Sequence, residues 1–315
     1  MAGQDRTRVI ALVGGGTMGA DIAASFVAGG WRAHIVNPPD AMGATLDARL
    51  RAAMDKLGQP YDALAFGRHE TLATVPWPDV DLVIEAIPER LDVKQRVFAD
   101  LVRLTRPETP LCSNSSAIPI SRIGEGLPTQ QRMLGTHYFM PAHLVPAVEV
   151  VRSTHTDEAV AQRVSDYLTE LGKVPVRVNR DIPGFLANRM QHALSREALS
   201  LIDRGIATAE DVDNAVRYGF GLRYIAAGPL LQRDHAGLDV HYAAACTIYP
   251  DLCNDAEPAQ YLRERADAGH IGMKVKHGFY DWTDEAIAVE RARYDKALVS
   301  AKAILDGERD GPQGR

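Results

Sequence analysis

The chain has 315 residues, of which 46% are hydrophobic and 24% are charged. The length predicts two domains at about 150 residues each, and the composition excludes a disordered chain, a collagen-like fibre and a coiled coil. No apolar run approaches the roughly 20 residues that a membrane-spanning helix needs. The first residues pass directly into a short apolar run, which is not typical of a secretory signal, so we expect a cytoplasmic protein.

The charge pattern and the cysteines further restrict the class of protein and its possible partners. The net charge of -6 is spread without long like-charged blocks, so neither nucleic acid nor an anionic membrane is indicated as a partner. Cys112, Cys246 and Cys253 show no metal-site spacing and cannot form a disulfide framework. We therefore expect reduced thiols and no metal, while an acidic small molecule remains a candidate substrate.

Strands and helices alternate through the first part of the chain. Apolar runs typical of strands buried on both faces lie at 8–14, 32–37, 79–87, 110–114, 133–139, 147–151 and 174–179. Helical patterns lie between them at 17–28, 41–57, 89–104 and about 157–171. This alternation predicts an α/β domain with a Rossmann-type doubly wound sheet.

The pattern changes after Asn179. A turn at 181–184 is followed by a long helical pattern at about 185–204, by shorter helices between glycines, and by an amphipathic helix at 284–305. Because no strand-rich segment follows the turn, the second domain is predicted to be all-α. The predicted boundaries are 1–180 for the dinucleotide-binding domain, 181–305 for the helical domain and 306–315 for a mobile tail.

A glycine motif follows the first predicted strand and opens the first helix. Gly14, Gly16 and Gly19 form the pattern G-x-G-x-x-G. Such glycines allow a tight turn and bring a diphosphate close to backbone N–H groups at the positive end of a helix. The prediction is a dinucleotide site that also includes Thr17 and Met18, with a plain tight turn as the alternative.

The end of the second predicted strand bears on the choice of dinucleotide. An acidic residue is expected there to hold the ribose 2′-hydroxyl of NAD. Asn37 takes this place, and its amide can bond a hydroxyl but does not repel a 2′-phosphate. Since no arginine follows it immediately, the sequence favours NAD and leaves NADP open.

A histidine and a glutamate lie in consecutive predicted strands. His137 is near the end of one strand, and Glu149 is inside the next, apolar one. A carboxylate in such a strand is costly unless it is paired. Pairing with Glu149 would fix the tautomer of His137 and make it a general acid/base near neutral pH. A surface glutamate beside an unrelated core histidine is the alternative.

Six motifs, taken in order, resemble the 3-hydroxyacyl-CoA dehydrogenase family. They are VGGGTMGA, VIEAIPERLDVKQRVF, SNSS, GTHYFMP with VEVV, DIPGFLANR, and GMKVKHGFYDW, and the resemblance covers about residues 8 to 282. It implies a Rossmann domain followed by a helical domain that dimerises. It also implies oxidation of a secondary alcohol to a ketone with NAD.

The resemblance assigns roles to individual residues. It makes His137 and Glu149 the catalytic dyad, gives Ser116 a hydrogen bond to the substrate oxygen, and makes Asn188 the active-site asparagine. Judged without the family, Ser116 is equally typical of a helix cap and Asn188 of a polar residue in the first turns of a helix.

The same resemblance extends to the cofactor. It places Glu89 and Lys94 on the nicotinamide side and Asn114, in the SNSS run, at the cofactor. A solvated helical face is the alternative for Glu89 and Lys94.

Two departures from the family bear on the substrate. Met140 stands three residues after the histidine, where the family usually has asparagine, so an adaptable apolar side chain replaces an amide. The turn before Gly228 is longer than in the CoA enzymes and resembles the lambda-crystallin/L-gulonate 3-dehydrogenase and carnitine dehydrogenase branch. Arg223 in this turn is a candidate to bind a free substrate carboxylate, since a guanidinium can bind one bidentately. A surface arginine is the alternative.

These features together predict NAD-dependent oxidation of a 3-hydroxy acid, or of a similar small hydroxylated acid, to the 3-oxo product. The helical domain is expected to close over the cofactor cleft and to form a homodimer. A 3-hydroxyacyl-CoA dehydrogenase is the alternative among enzymes. A crystallin-like structural or nucleotide-binding protein without turnover is the alternative from another class.

Overall fold

Eight strands form one sheet in the computed structural model, which describes residues 6–309. In chain order the strands are β1 (Val9–Val13), β2 (Arg32–Val36), β3 (Phe66–His69), β4 (Leu82–Glu85), β5 (Leu111–Ser113), β6 (Met133–Tyr138), β7 (Ala147–Val151) and β8 (Val174–Val178). Their order across the sheet is β3-β2-β1-β4-β5-β6-β7-β8. β1 to β6 are parallel, β7 is antiparallel to β6, and β8 is parallel to β7. The predicted Rossmann-type sheet is confirmed, with its switch point beside β1.

Helices and hydrophobic side chains cover both faces of this sheet. The helices of the first part of the chain are α1 (Thr17–Ala28), α2 (Pro39–Lys56), α3 (Leu91–Leu104), α4 (Ile120–Ile123) and α5 (Glu158–Glu170). Successive side chains of a strand point to opposite faces. Ile10 and Leu12 of β1 therefore join the core that contains α1, α2 and α5, whereas Val9, Ala11 and Val13 join the core that contains α3 and α4.

The second part of the chain is helical. Its helices are α6 (Ala187–Asp203), α7 (Ala209–Asn214), α8 (Pro229–Ala236), α9 (Leu238–Ile248), α10 (Gln260–Asp267) and α11 (Asp284–Arg309). Residues 190–309 contain no strand of the sheet, which confirms the predicted all-α architecture. None of the helices that the structure describes is both long and apolar enough to cross a membrane.

The division of the chain differs in detail from the prediction. The described chain separates into two compact units between Arg189 and Met190, rather than after residue 180. The turn at 181–184 leads into backbone amides at Leu186 and Ala187 that bond to the sheet residue Glu149, so this segment belongs with the sheet.

The chain end is helical further than the sequence predicts. α11 continues through residues 306–309, which were predicted to be part of a mobile tail. An ion pair between Lys302 and Asp306, one helical turn apart, stabilises these last turns. Residues 310–315, the rest of the predicted tail, lie outside the described residues.

Candidate functional site

The glycine loop between β1 and α1 has no room for a side chain at its two ends, Gly14 and Gly19, but has free space in its middle, at Gly16. A Cβ atom on Gly14, whose φ is +114°, would lie 2.6 Å from the Ala86 carbonyl oxygen, and one on Gly19 would lie 1.8 Å from the Gly14 oxygen. A Cβ on Gly16 would meet no atom of the described residues within 4 Å. The loop therefore turns tightly against β4 while leaving space at Gly16 for a ligand.

The start of α1 has the properties of an anion site. Gly16 is the N-cap, and among the described residues no side chain caps this helix and no acidic residue lies in its first turn. The first N–H groups of a helix have no partner inside it and carry its positive end. Thr17 and Met18 begin the helix, so the open space at Gly16 fits the diphosphate of a dinucleotide.

Asn37 supports this loop from the end of β2. Its Oδ1 accepts a hydrogen bond from the Gly15 N–H at 3.3 Å, and its own N–H donates to the His69 carbonyl at 2.9 Å. The structure thus places Asn37 beside the glycine loop, where a Rossmann fold holds the ribose.

His137 and Glu149 face each other across the antiparallel pair of β6 and β7. They are register partners, and His137 Nδ1 lies 2.6 Å from Glu149 Oε2. Both side chains are buried, at 4% and 1% exposure. Since Nδ1 bonds to the carboxylate, Nε2 is the ring nitrogen that remains for proton exchange with a substrate.

The second oxygen of Glu149 is also occupied. Oε1 accepts hydrogen bonds from the N–H groups of Leu186 at 3.0 Å and Ala187 at 2.8 Å. Burial raises the pKa of Glu149, but the hydrogen bonds from His137, Ala187 and Leu186 and the charge of His137 outweigh it and hold the pKa below its usual value. Glu149 is therefore an ionised and immobile partner for the imidazole.

Two phenylalanine rings pack around His137. The Phe139 ring centroid lies 4.8 Å from that of the imidazole, and the Phe185 centroid lies 5.7 Å away. Phe185 is buried and has a φ of +48°, directly after Gly184 with a φ of +75°. This left-handed turn brings the ring against His137 and directs the following amides to Glu149.

Asn114 and Ser116 follow β5, whereas Asn188 lies in the first turn of α6. Asn188 Nδ2 donates to the Ser116 carbonyl at 3.3 Å, so the structure brings these two predicted residues together. Asn114 Oδ1 accepts from the N–H of Tyr138, the residue after His137, at 2.9 Å. Asn114 therefore joins the end of β5 to the end of β6.

Lys94 does not lie on a solvated helical face, the alternative that the sequence left open. It is 1% exposed, and its Nζ lies 2.7 Å from Glu85 Oε1, 3.3 Å from Glu89 Oε2 and 3.3 Å from the Ile87 carbonyl. Glu85 is the member of this group that the sequence prediction missed. A glutamate inside the apolar run VIEAI was the available signal, the same one that singled out Glu149.

Glu89 connects this lysine to the SNSS turn. Its Oε1 accepts hydrogen bonds from the Ser115 hydroxyl and from the N–H groups of Ala117 and Ile118. Burial raises the pKa of Glu89, but the Ser115 hydrogen bond, the Lys94 charge and the two amides outweigh it and hold the pKa below its usual value.

The two residues proposed to recognise the substrate lie on different units. Met140 follows β6 and is 64% exposed. Arg223 is exposed on a short 3₁₀ helix, Gly221–Ile225, of the second unit.

Family models match both units. The model described as "3-hydroxyacyl-CoA dehydrogenase, NAD binding domain" matches residues 9–182, and the model of the C-terminal domain of the same family matches residues 184–282.

Individual relatives match nearly the whole chain. The 5-formyl-3-hydroxy-2-methylpyridine 4-carboxylate 5-dehydrogenase of Mesorhizobium japonicum is 32% identical over an alignment of 309 residues, and the match covers 95% of this chain and 99% of the relative. A crystal structure of a dehydrogenase for the same compound, described as an NAD⁺-dependent dismutase, superposes with a TM-score of 0.90 at 30% identity, covering 96% of this chain and 99% of that one. The 3-hydroxybutyryl-CoA dehydrogenase of Mycobacterium tuberculosis is 32% identical over 88% of this chain and 99% of its own.

Proposed function

The chain belongs to the 3-hydroxyacyl-CoA dehydrogenase family and is an NAD-dependent dehydrogenase, and from this premise we propose that it oxidises a 3-hydroxy acid, or a similar small hydroxylated acid with a free carboxylate, reversibly to the 3-oxo product. The observation that carries the chemistry is the buried pair of His137 Nδ1 and Glu149 Oε2 at 2.6 Å.

Proton transfer is the part of the reaction that the chain's own residues perform. When bound, NAD supplies the hydride acceptor. His137 accepts the proton of the substrate hydroxyl at Nε2 as the hydride leaves the carbon that bears this hydroxyl, and Glu149 stabilises the imidazolium that forms. In the reverse direction the protonated His137 polarises the carbonyl and returns the proton.

The cofactor residues divide into two groups. One group binds the diphosphate and the adjoining ribose, and it consists of Gly14, Gly16, Thr17, Met18, Gly19 and Asn37. The other group serves the nicotinamide end, and it consists of Glu89, Lys94 and Asn114. The three contacts of the Lys94 ammonium support a role in which this residue acts through Glu89.

The substrate residues are assigned by their chemistry. Ser116 and Asn188 hold the reacting oxygen, Met140 provides an apolar contact, and Arg223 binds the carboxylate. The carboxylate in the name of the Mesorhizobium relative supports a free acid. The CoA thioester in the name of the Mycobacterium relative favours the second candidate, a 3-hydroxyacyl-CoA dehydrogenase.

The proposal includes a cytoplasmic homodimer that forms through the helical unit. Among residues 190–308 only Ile287 is a buried hydrophobic residue, whereas Leu230 and Tyr242 are 82% and 73% exposed. Apolar surface on this scale supports coverage by a second copy of the chain. Light scattering coupled to gel filtration tests it, and a monomer at micromolar concentration would contradict it.

A substrate panel tests the proposed activity. NADH formation is followed with free 3-hydroxy acids, their methyl esters, the matching 3-hydroxyacyl-CoA thioesters and 5-formyl-3-hydroxy-2-methylpyridine 4-carboxylate. We expect the highest kcat/KM with a free acid. A higher kcat/KM with a thioester would establish the second candidate, and binding of NADH without any turnover would indicate a crystallin-like protein.

A further inference from the structure

Glu85 is a completely buried carboxylate at the end of β4. Its Oε1 accepts hydrogen bonds from Lys94 Nζ and from the Ile87 N–H, both at 2.7 Å, and its Oε2 accepts from the Ser113 hydroxyl at 2.7 Å. A buried carboxylate is tolerated only with such compensation. Ser113 ends β5, so Glu85 ties the ends of two neighbouring strands to α3.

Two carboxylates hold the turn that follows β5. Through Ser113, Glu85 reaches the start of the turn, because Ser113 Oγ also accepts the Ser115 N–H at 3.2 Å. Glu89 binds the end of the turn at the N–H groups of Ala117 and Ile118, at 3.1 and 3.2 Å.

Lys94 connects these two carboxylates. Its Nζ is 2.7 Å from Glu85 Oε1 and 3.3 Å from Glu89 Oε2. Without this cation the two negative charges would repel each other and the ends of the turn would have no common anchor. Ser116 lies between the two anchored ends.

We propose that Glu85 and Lys94 are positioning residues, which hold the Ser113–Ile118 turn through Ser113 and Glu89 and thereby place Ser116 at the substrate oxygen. The inference rests on the proposed role of Ser116. The side chains of Glu85 and Lys94 are both buried, and the relay that they form with Ser113 and Glu89 does not include the glycine loop, which binds the diphosphate. Loss of the relay is therefore expected to lower kcat strongly and to change the Kd of NADH much less, because the glycine loop keeps its contacts with the diphosphate.

The first test is Ser113→Ala, which removes one hydroxyl from the relay and no charge. We expect kcat to fall about 10-fold, because small displacements of reacting groups have large rate effects. The Kd of NADH should stay within about twofold. Ser165→Ala is the matched control, since this buried hydroxyl on α5 bonds to a single carbonyl, that of Ala161 at 2.9 Å. The control should keep the kcat of the wild type.

The second test separates positioning from stability. Glu85→Gln leaves the Lys94 ammonium without its closest counter-charge, and both Tm and kcat should fall. Adding Lys94→Met removes the buried ammonium that has lost its partner, so the Tm of the double variant should return most of the way to the wild-type value. Its kcat should remain at least about 10-fold below the wild type, because Glu89 has lost its link to Glu85.

Three results would overturn the inference. They are a recovery of kcat together with Tm in the double variant, an unchanged kcat in Ser113→Ala, and a loss confined to the Kd of NADH. The last result would mean that the relay serves only the nicotinamide end of the cofactor and does not position Ser116. All variants are measured with the best substrate of the panel. An error in the free-acid assignment therefore changes the substrate used and leaves this comparison intact.

Discussion

Glu149→Gln removes a negative charge beside His137 while preserving the shape of the side chain. All three partners of the carboxylate are donors, namely His137 Nδ1 and the N–H groups of Leu186 and Ala187. A glutamine has one acceptor oxygen and one NH₂ group, so it cannot satisfy all three. If its oxygen stays with the two amides, its NH₂ faces Nδ1 and favours the tautomer with the proton on Nε2, which cannot accept a proton from the substrate.

The size of the effect follows from these contacts. A hydrogen bond to a charged group contributes about 1.5–3 kcal/mol, and the shift to the unproductive tautomer adds to its loss. A total of about 3–4 kcal/mol corresponds to a decrease in kcat on the order of 100- to 1,000-fold. The Kd of NADH should change little, because the glycine loop is not altered.

The assay is steady-state NADH formation together with fluorescence titration of NADH. Glu125→Gln is the matched control, because it makes the same chemical change at an exposed carboxylate and should keep the wild-type kcat. A Glu149→Gln variant that retained more than a tenth of the wild-type kcat, with its NADH affinity intact, would refute the reasoning.

The free energy of unfolding should also depend on the ionisation of Glu149. Because the pKa of Glu149 is lowered in the folded protein, its ionised form stabilises the fold above the usual carboxyl pKa, and this contribution is lost as the pH falls through the lowered value. The unfolding free energy of the wild type should therefore exceed that of Glu149→Gln at pH 6. This difference should become smaller as the pH falls below 4.5, the usual pKa of a glutamate carboxyl. Urea unfolding at several pH values measures it, and a difference independent of pH would contradict the assignment.

Three further predictions concern other parts of the site. His137→Ala should lower kcat by about 100- to 10,000-fold with NADH binding preserved, and a titration showing lost NADH affinity would instead indicate a structural role. Asn37→Asp should increase the kcat/KM preference for NAD over NADP by repelling the 2′-phosphate, and an unchanged ratio would move Asn37 away from the ribose. Arg223→Ala should raise KM for an acid about 10- to 100-fold and affect its methyl ester much less, whereas equal losses for acid and ester would make Arg223 structural.

Helices and strands with a strong hydrophobic pattern were predictable from the sequence, and those with a weak hydrophobic pattern were not. α1 and β7 have the predicted bounds, because each is an uninterrupted apolar pattern between clear end signals. β3 was missed, because its sequence FGRH has a single large apolar residue and it lies at the edge of the sheet. The antiparallel direction of β7 had a usable signal. The connection at 139–146 is shorter than the dozen or more residues that a parallel crossover needs.

Long-range contacts account for most of what the sequence could not show at the site. The partnership of His137 and Glu149 was predictable, since a buried carboxylate requires a partner and the two residues lie in consecutive strands. The bonds from Leu186 and Ala187 to Glu149 were not, because they depend on a left-handed turn at Gly184 and Phe185 far along the chain. The burial of Lys94 could not be predicted from the sequence either. Its helix is otherwise amphipathic, and its partner Glu85 lies on another element.

The sheet carries two buried glutamates near the ends of its strands, and their partners separate their roles. Glu149 is paired with a histidine, whose second ring nitrogen is left for proton exchange, so this pair can take part in acid–base chemistry. Glu85 is paired with a lysine, whose ammonium donates hydrogen bonds and has no acceptor site for a substrate proton. The same requirement to compensate a buried carboxylate thus gives a pair suited to proton transfer on β6 and β7 and, on β4 and α3, a pair suited to anchoring neighbouring elements.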